Sequence, residues 1–339
     1  MRTALRRSFG LLVVAALSLA TAVPATAAPS DEVKRSRTAA GYLASQQKQN
    51  GSFPGFSPIG STADAVTSLV AVKRGKGNIT KALNFLALQT ENGNTTGTGL
   101  QAKVALAAVA GGRNPENFGG EDLVGAIADR ERPNGRLGAG TAVFDQALGI
   151  LALEASGSGA SASAKDWLVD AQCPDGGWEY SARWTAGNDE HCTSIADPGN
   201  DFFSSDTNTT SYAVMALEAA GAGAPDENPF AFFTEIRDPA RGGWGYTWGF
   251  QTTDANSTGL VLQAYAAAAT TTPAGSVKAL KALQYKRCGA FAFTWNGAAK
   301  TPPDPGATIS GIVGLLGRPY PIAEAAVTKA APSTPDCPA

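Results

Sequence analysis

Two kinds of apolar segment alternate along this chain. The first is short and one-sided. Ala39, Tyr42, Leu43 and Gln46 fall at i, i+3, i+4 and i+7, and Ala164, Trp167, Leu168 and Ala171 repeat that spacing, which is the period of an amphipathic helix. The second kind is apolar nearly all round, as in Ala65–Val72, Val104–Val109, Ala147–Leu153, Ser211–Ala220 and Thr258–Ala269. A helix apolar on every face is a buried one, and alanine richness lets neighbouring backbones approach closely. The alternation predicts pairs of helices, one outer and one inner.

A glycine punctuates each pair, at Gly51, Gly93, Gly135, Gly176, Gly242 and Gly289, with Phe53, Thr95, Leu137, Trp178, Trp244 and Phe291 two residues later. The first four glycines are spaced by 42, 42 and 41 residues. Such a period means one supersecondary unit copied in tandem. Asn or Asp precedes four of them (Asn50, Asn92, Asn134, Asp175), and a glutamine stands four positions before three (Gln47, Gln89, Gln172). The Asn/Asp-Gly pair is expected to end each outer helix as a left-handed cap. Six helix pairs predict an all-α (α/α)6 toroid over residues 28–320, with repeats near 34–73, 78–110, 118–155, 161–221, 228–269 and 275–317, and a tail over 321–339.

Composition narrows the setting. The net charge of −2 and a charged fraction of 17% give no basic stripe for nucleic acid or for a membrane surface. Residues 1–27 read as a signal peptide: Arg2, Arg6 and Arg7 form the charged end, Leu11 to Ala20 the apolar core, and Ala25-Thr26-Ala27 a cleavage site before Ala28. Arg6-Arg7 followed by Ser8-Phe9 also resembles a twin-arginine export signal. No second stretch is long and apolar enough to span a bilayer, so the mature chain is expected outside the cell with no transmembrane segment. Four cysteines in an exported chain imply two disulfides with three pairings open. Cys173–Cys192, closing a short loop, and Cys288–Cys337, tying down the tail, are the favoured pair. Their spacing fits no common zinc motif and the chain has one histidine, so no metal site is expected.

Gln172 through Trp178 (QCPDGGW) resembles the Gln-x(2–5)-Gly-x-Trp motif of the prenyltransferase and squalene-oxidase repeat, the QW motif of terpene cyclases. Gln47 to Phe53 (QKQNGSF) is the same pattern with Phe for Trp, and Gly242 to Trp244 supplies GGW without the glutamine. The resemblance covers nearly all of the mature chain and implies the α/α toroid, with Gln47, Gly51, Phe53, Gln172, Gly176, Trp178, Gly242, Trp244, Gly289 and Phe291 as structural positions. Three activities occur in the family, and each implies its own marks. A class II cyclase protonates its substrate with the middle Asp of D-x-D-D-T. Here the matching stretch is DTNTT (206–210), with Asn208 in the donor's place, and DANST (254–258) shows the same replacement. An amide is not a general acid, so cyclase chemistry would need Asp206 or Asp254 instead. A prenyltransferase needs a zinc held by Asp, Cys and His on inner helices, which here carry neither His nor Cys. The exported, disulfide-stapled cobalamin carriers often begin inner helices with Asp-Thr, as at Asp206-Thr207. They also carry a lid domain that this chain does not continue into after repeat six, which leaves the lid to a partner or a membrane transporter component.

Repeat four is interrupted between Trp178 and Asp206, at the turn leading into an inner helix, where related toroids place ligands. This segment holds Tyr180, Trp184 and His191, with Asp189, Glu190, Asp197, Asp201, Phe202 and Phe203; the next turns add Tyr246, Trp248, Phe250, Phe293 and Trp295. Aromatics with a few convergent polar groups are what small-molecule sites are made of. The expected ligand-binding set is therefore Tyr180, Trp184, His191, Asp206, Asn208, Tyr246, Trp248, Phe250, Asp254, Asn256 and Trp295. Asp206 and Asp254 carry two readings, as acids or as helix N-caps. The function expected is binding of a bulky small molecule, a corrinoid such as cobalamin or a polycyclic or isoprenoid lipid, with no cofactor required. The alternatives are a divergent single-toroid cyclase, glycan hydrolysis and a structural surface repeat.

Overall fold

The computed structural model describes residues 29–140, 142–181, 192, 204–223 and 225–337. The signal-peptide segment, and Trp184, His191 and the acids and phenylalanines of 189–203, lie outside the described residues. Twelve α-helices are present among the residues described. Six odd-numbered ones are outer helices: α1 (Asp31–Ser45), α3 (Lys76–Glu91), α5 (Leu123–Ala128), α7 (Ala162–Asp170), α9 (Pro229–Glu235) and α11 (Ser276–Leu283). The even-numbered ones are inner: α2 (Pro58–Ala71), α4 (Thr98–Ala110), α6 (Val143–Ser156), α8 (Thr207–Ala219), α10 (Ala255–Ala267) and α12 (Pro305–Leu316).

The inner helices touch in the order α2, α4, α6, α8, α10, α12, and α12 returns to α2. That closes the ring of an (α/α)6 toroid. Outer helices α3, α5, α7, α9 and α11 each pack on the inner helix that precedes them in the chain, and α1 packs on α12 across the closure. Small residues permit this closeness. A side chain at Gly259 of α10 would meet the Ser310 carbonyl of α12 at 2.6 Å, and one at Gly314 would meet Gly259 at 2.5 Å.

The repeat motif is a set of hydrogen bonds. The +2 residue of the turn donates its backbone N–H to a threonine in the following inner helix: Phe53 to Thr62 (2.8 Å), Trp178 to Thr210 (2.8 Å), Trp244 to Thr258 (3.0 Å) and Phe291 to Thr308 (2.9 Å). Repeat three uses Gln146 on the inner helix instead, 2.6 Å from the Leu137 N–H. The motif glutamine ties its own turn to the next outer helix: Gln47 donates to the carbonyls of Gly51 and Asn78, and Gln172 to those of Gly176 and Glu227. Gln284 does the same in repeat six, reaching Gly289 and, across the ring closure, Arg35. In repeat five, which has no glutamine, the Arg237 guanidinium takes that part, bonding the carbonyls of Gly242 and Ala274. Trp178 and Trp244 are fully buried, with indole N–H groups donated to Leu168 and Phe233 of the outer helices.

One expectation needs correction. Asn92-Gly93 does end its outer helix, but α1, α5, α7, α9 and α11 stop several residues before their glycines. Gly51, Gly135 and Gly176 instead close separate turns by donating to the carbonyl three residues back. Their positive φ favours glycine, and the next outer helix independently leaves no room for a side chain: a Cβ at Gly135 would lie 1.9 Å from the Ser163 carbonyl, and one at Gly289 within 2.7 Å of Thr38 and Ala39.

Both favoured disulfides are present, Cys173–Cys192 and Cys288–Cys337. No helix among the described residues is long and apolar enough to cross a membrane. After α12 the chain turns back under the ring. Gln263 of α10 donates to the Arg318 carbonyl, the Tyr320 hydroxyl meets Thr67 of α2 at 2.9 Å, and Lys329 accepts from the Gly75 and Lys76 amides. Tyr320 and Ile322 are buried within the core, so the toroid centre is filled on that side.

Candidate functional site

The opposite side is the mouth, where the inner helices begin. The first amide of one inner helix is satisfied by the turn of the following repeat: Val143 donates to Tyr180 O (2.9 Å), Thr207 to Tyr246 O (2.9 Å) and Ala255 to Phe293 O (2.8 Å). Helix starts leave unpaired N–H groups, and the rim meets that need at α6, α8 and α10 by chaining repeats three to six. The side-chain caps complete it. Ser57, Asp206, Asp254 and Asp304 accept from amides of α2, α8, α10 and α12.

Asp206 is fully buried, and its Oδ1 takes the amides of Asn208 and Thr209 at 2.9 and 2.8 Å. Its Oδ2 has no hydrogen-bond partner among the described residues, although the Thr209 and Tyr246 side chains are near enough to oppose the effect of burial. Asp254 is tied by both oxygens to Ser257, to the amide at 2.7 Å and the hydroxyl at 2.8 Å. Burial pushes both carboxyls up to about 7, the helix-start hydrogen bonds pulling back only part of the way. Both aspartates are therefore N-caps held near their titration point. Asn208 is half-buried beside Thr207.

Tyr246, Phe250, Asp254 and Trp295 come together, with Phe293, around a pocket of about 540 Å³ between the turns of repeats five and six. Phe250 and Phe293 are exposed at 61% and 44%, so the pocket presents aromatic faces to solvent. Arg241 stacks over the outer face of Trp295 at 5.3 Å. Trp248 is partly buried and, like Trp295, packs against the hydrophobic core. Tyr180 lies on the Phe144 ring at 5.8 Å, and Phe144 in turn meets Tyr212 edge-on at 5.0 Å.

A second cavity of about 540 Å³ opens at the start of α2 and α12, and Phe293 and Asn256 border it. Its floor carries two residues that sequence reasoning missed, Asp64 of α2 and Lys103 of α4, in contact at 2.7 Å. Each is the one charged residue in its inner helix, and a single charge in an otherwise apolar segment was the available signal. Asp304 was missed as well, although Asp304-x3-Thr308 repeats the spacing of Asp206-x3-Thr210 and Asp254-x3-Thr258.

No family model matches the chain, and no curated protein matches it. Solved structures do. An unsaturated glucuronyl hydrolase specific for heparin aligns with a TM-score of 0.59 at 12% identity, covering 84% of this chain and 95% of that one. The α-1,6-mannanase GH76A of Salegentibacter sp. HEL1_6 aligns at 0.57 and 13% identity over 85% and 99%. The type II terpene cyclase MstE from Scytonema aligns at 0.56 and 16% identity over 84% and 97%. At these identities the likeness is one of fold, and the fold hosts more than one chemistry.

Proposed function

We propose that this is an exported binding protein whose toroid mouth holds a bulky small molecule with an extended apolar body, a corrinoid or a polycyclic or isoprenoid lipid. The aromatic pocket carries the reading. Tyr246, Phe250, Phe293 and Trp295 converge from two turns onto one solvent-open space, and exposed aromatic rings of this kind favour burial against a ligand. The two disulfides fit an oxidising compartment. The cyclase with the same fold was solved holding geranylgeranyl dihydroxybenzoate, which supports a toroid of this shape taking an isoprenoid. A lid supplied by a partner or a transporter component would complete the enclosure.

Native mass spectrometry of the purified protein tests this. The expected result is a retained small-molecule mass, or uptake of cobalamin or a polyprenyl lipid, that is lost in Phe250→Ala. Phe250 is mostly exposed, so that change leaves the fold intact. An empty protein that ignores both ligand classes at micromolar concentration refutes the proposal. One observation favours an enzyme as the second reading: Asp254, with its carboxyl pushed up to about 7, borders the aromatic pocket. A group so poised carries a proton near neutral pH, as a general acid must, and aromatic faces stabilise cations. That reading requires turnover of an isoprenoid that Asp254→Asn abolishes while binding persists.

A further inference from the structure

Inner helices α2 and α4 gain nothing as packing elements from carrying one charge each. A buried ion pair costs desolvation that apolar residues would not. Yet Asp64 and Lys103 meet at 2.7 Å on the floor of the mouth cavity. Asp145, in the first turn of α6, leans in from the third side. Its carboxylate lies over Gly99, one turn before Lys103, where a Cβ would be only 2.0 Å from Oδ1. Burial pushes the Asp145 carboxyl up, and the charge of Lys103 pulls it part of the way back. The walls above add the Ser61 hydroxyl and Asn256, whose Oδ1 is buried with no hydrogen-bond partner. At the lip stand two exposed rings, Phe293 and Phe56, the latter projecting wholly into solvent.

We propose that this polar well is a binding site for a neutral sugar, beside the aromatic pocket and sharing only the Phe293 ring with it. The chemistry selects the class. A hydrocarbon chain would strip water from an ammonium, a carboxylate and an amide without replacing its hydrogen bonds. An anionic group would face Asp64, Asp145 and Asp304 together. A cation would find its place taken by Lys103. A ring of hydroxyls donates to carboxylate and amide oxygens, accepts from Lys103, and offers C–H faces to Phe56 and Phe293. Sites built to hydrogen-bond hydroxyls discriminate strongly against ligands that lack them.

The test is binding of the labelled full-length protein to an array of neutral, uronate and sulfated glycans, followed by titration of the strongest neutral hit. Expected is retention on neutral glycans, lost in Lys103→Met and weakened at least tenfold in Asn256→Ala and Phe56→Ala. Asp166→Asn, exposed on outer helix α7, should bind as the parent does. Circular dichroism checks each variant's fold. If Lys103→Met unfolds, the other two decide, since Phe56 projects wholly into solvent and Asn256 is only half-buried. No retained glycan, a preference for acidic glycans, or undiminished binding by Asn256→Ala and Phe56→Ala overturns the proposal. The aromatic pocket is read separately, by the retained mass and its loss in Phe250→Ala.

Discussion

Asp206 and Asp254 show what one carboxyl can do to a fold. Both sit at helix starts that welcome an acceptor, and both are buried so completely that their pKa rises to about 7. An unfolded aspartate titrates near about 3.9, so between about pH 4 and about pH 7 the folded state holds more protons than the unfolded one. Stability then falls as pH rises through that window, by at most about 1.4 kcal/mol per pH unit for each group. Asp238 acts in the opposite sense. Although burial opposes it, bonds from Thr253, Ala240 and Arg241 hold its carboxyl below the usual range, so its contribution is lost only at low pH. Asp206→Asn keeps an N-cap acceptor and removes the titration. In urea melts it should raise stability at about pH 7.5 by about 1–3 kcal/mol and halve the slope between about pH 5 and about pH 7. An unchanged slope would mean that Asp206 is ionised throughout. The cap reading of both aspartates was available from their place before apolar helices; their burial was not, because it depends on the turn of the next repeat folding over them.

At the scale of the element, repeats one, four and six share a small circuit: a turn, a threonine on the inner helix that receives the turn's amide, and a glutamine that reaches the next outer helix. Thr258→Val keeps the shape of the side chain and strands the buried Trp244 N–H. It should cost about 1–3 kcal/mol, measured by chemical denaturation, and Thr258→Ser should recover most of it. A loss below about 0.5 kcal/mol would show that the threonine is incidental. Helix periodicity was legible because it is a local property of the chain. The glycines were legible as conserved spacing within the chain, yet their purpose was misread. A positive φ marks where the backbone needs freedom, while the second demand for glycine, a carbonyl of another helix under 2 Å from the missing Cβ of Gly135, belongs to the neighbour. The substitution of Arg237 for the glutamine of repeat five was hidden for the same reason, since function passed to a different residue type one position earlier.

Over the whole molecule, closure and plugging decide what the toroid can hold. The α12–α2 contact, the packing of α1 on α12 and the Gln284–Arg35 bond close the ring, and the returning tail fills its far side with Tyr320. Tyr320→Ala should cost about 3–5 kcal/mol in thermal or chemical unfolding, the penalty for emptying a large aromatic site in a core. A cost near zero would mean that the tail merely lies on the surface. The sequence by itself determined the helix pairs, their number and the toroid, because 3.6-residue periodicity and a repeat near 42 residues are written along the chain; it favoured one of three cysteine pairings, and the structure selected it. Four residues that line the aromatic pocket, Tyr246, Phe250, Asp254 and Trp295, were also placed in rim turns by the sequence. Only the tertiary structure joined them to Phe293 in one pocket and brought Asp64 to Lys103 across 39 residues. Ring closure makes neighbours of helices whose separation no local pattern records, and burial, on which every charge in the mouth depends, is a property of those neighbours.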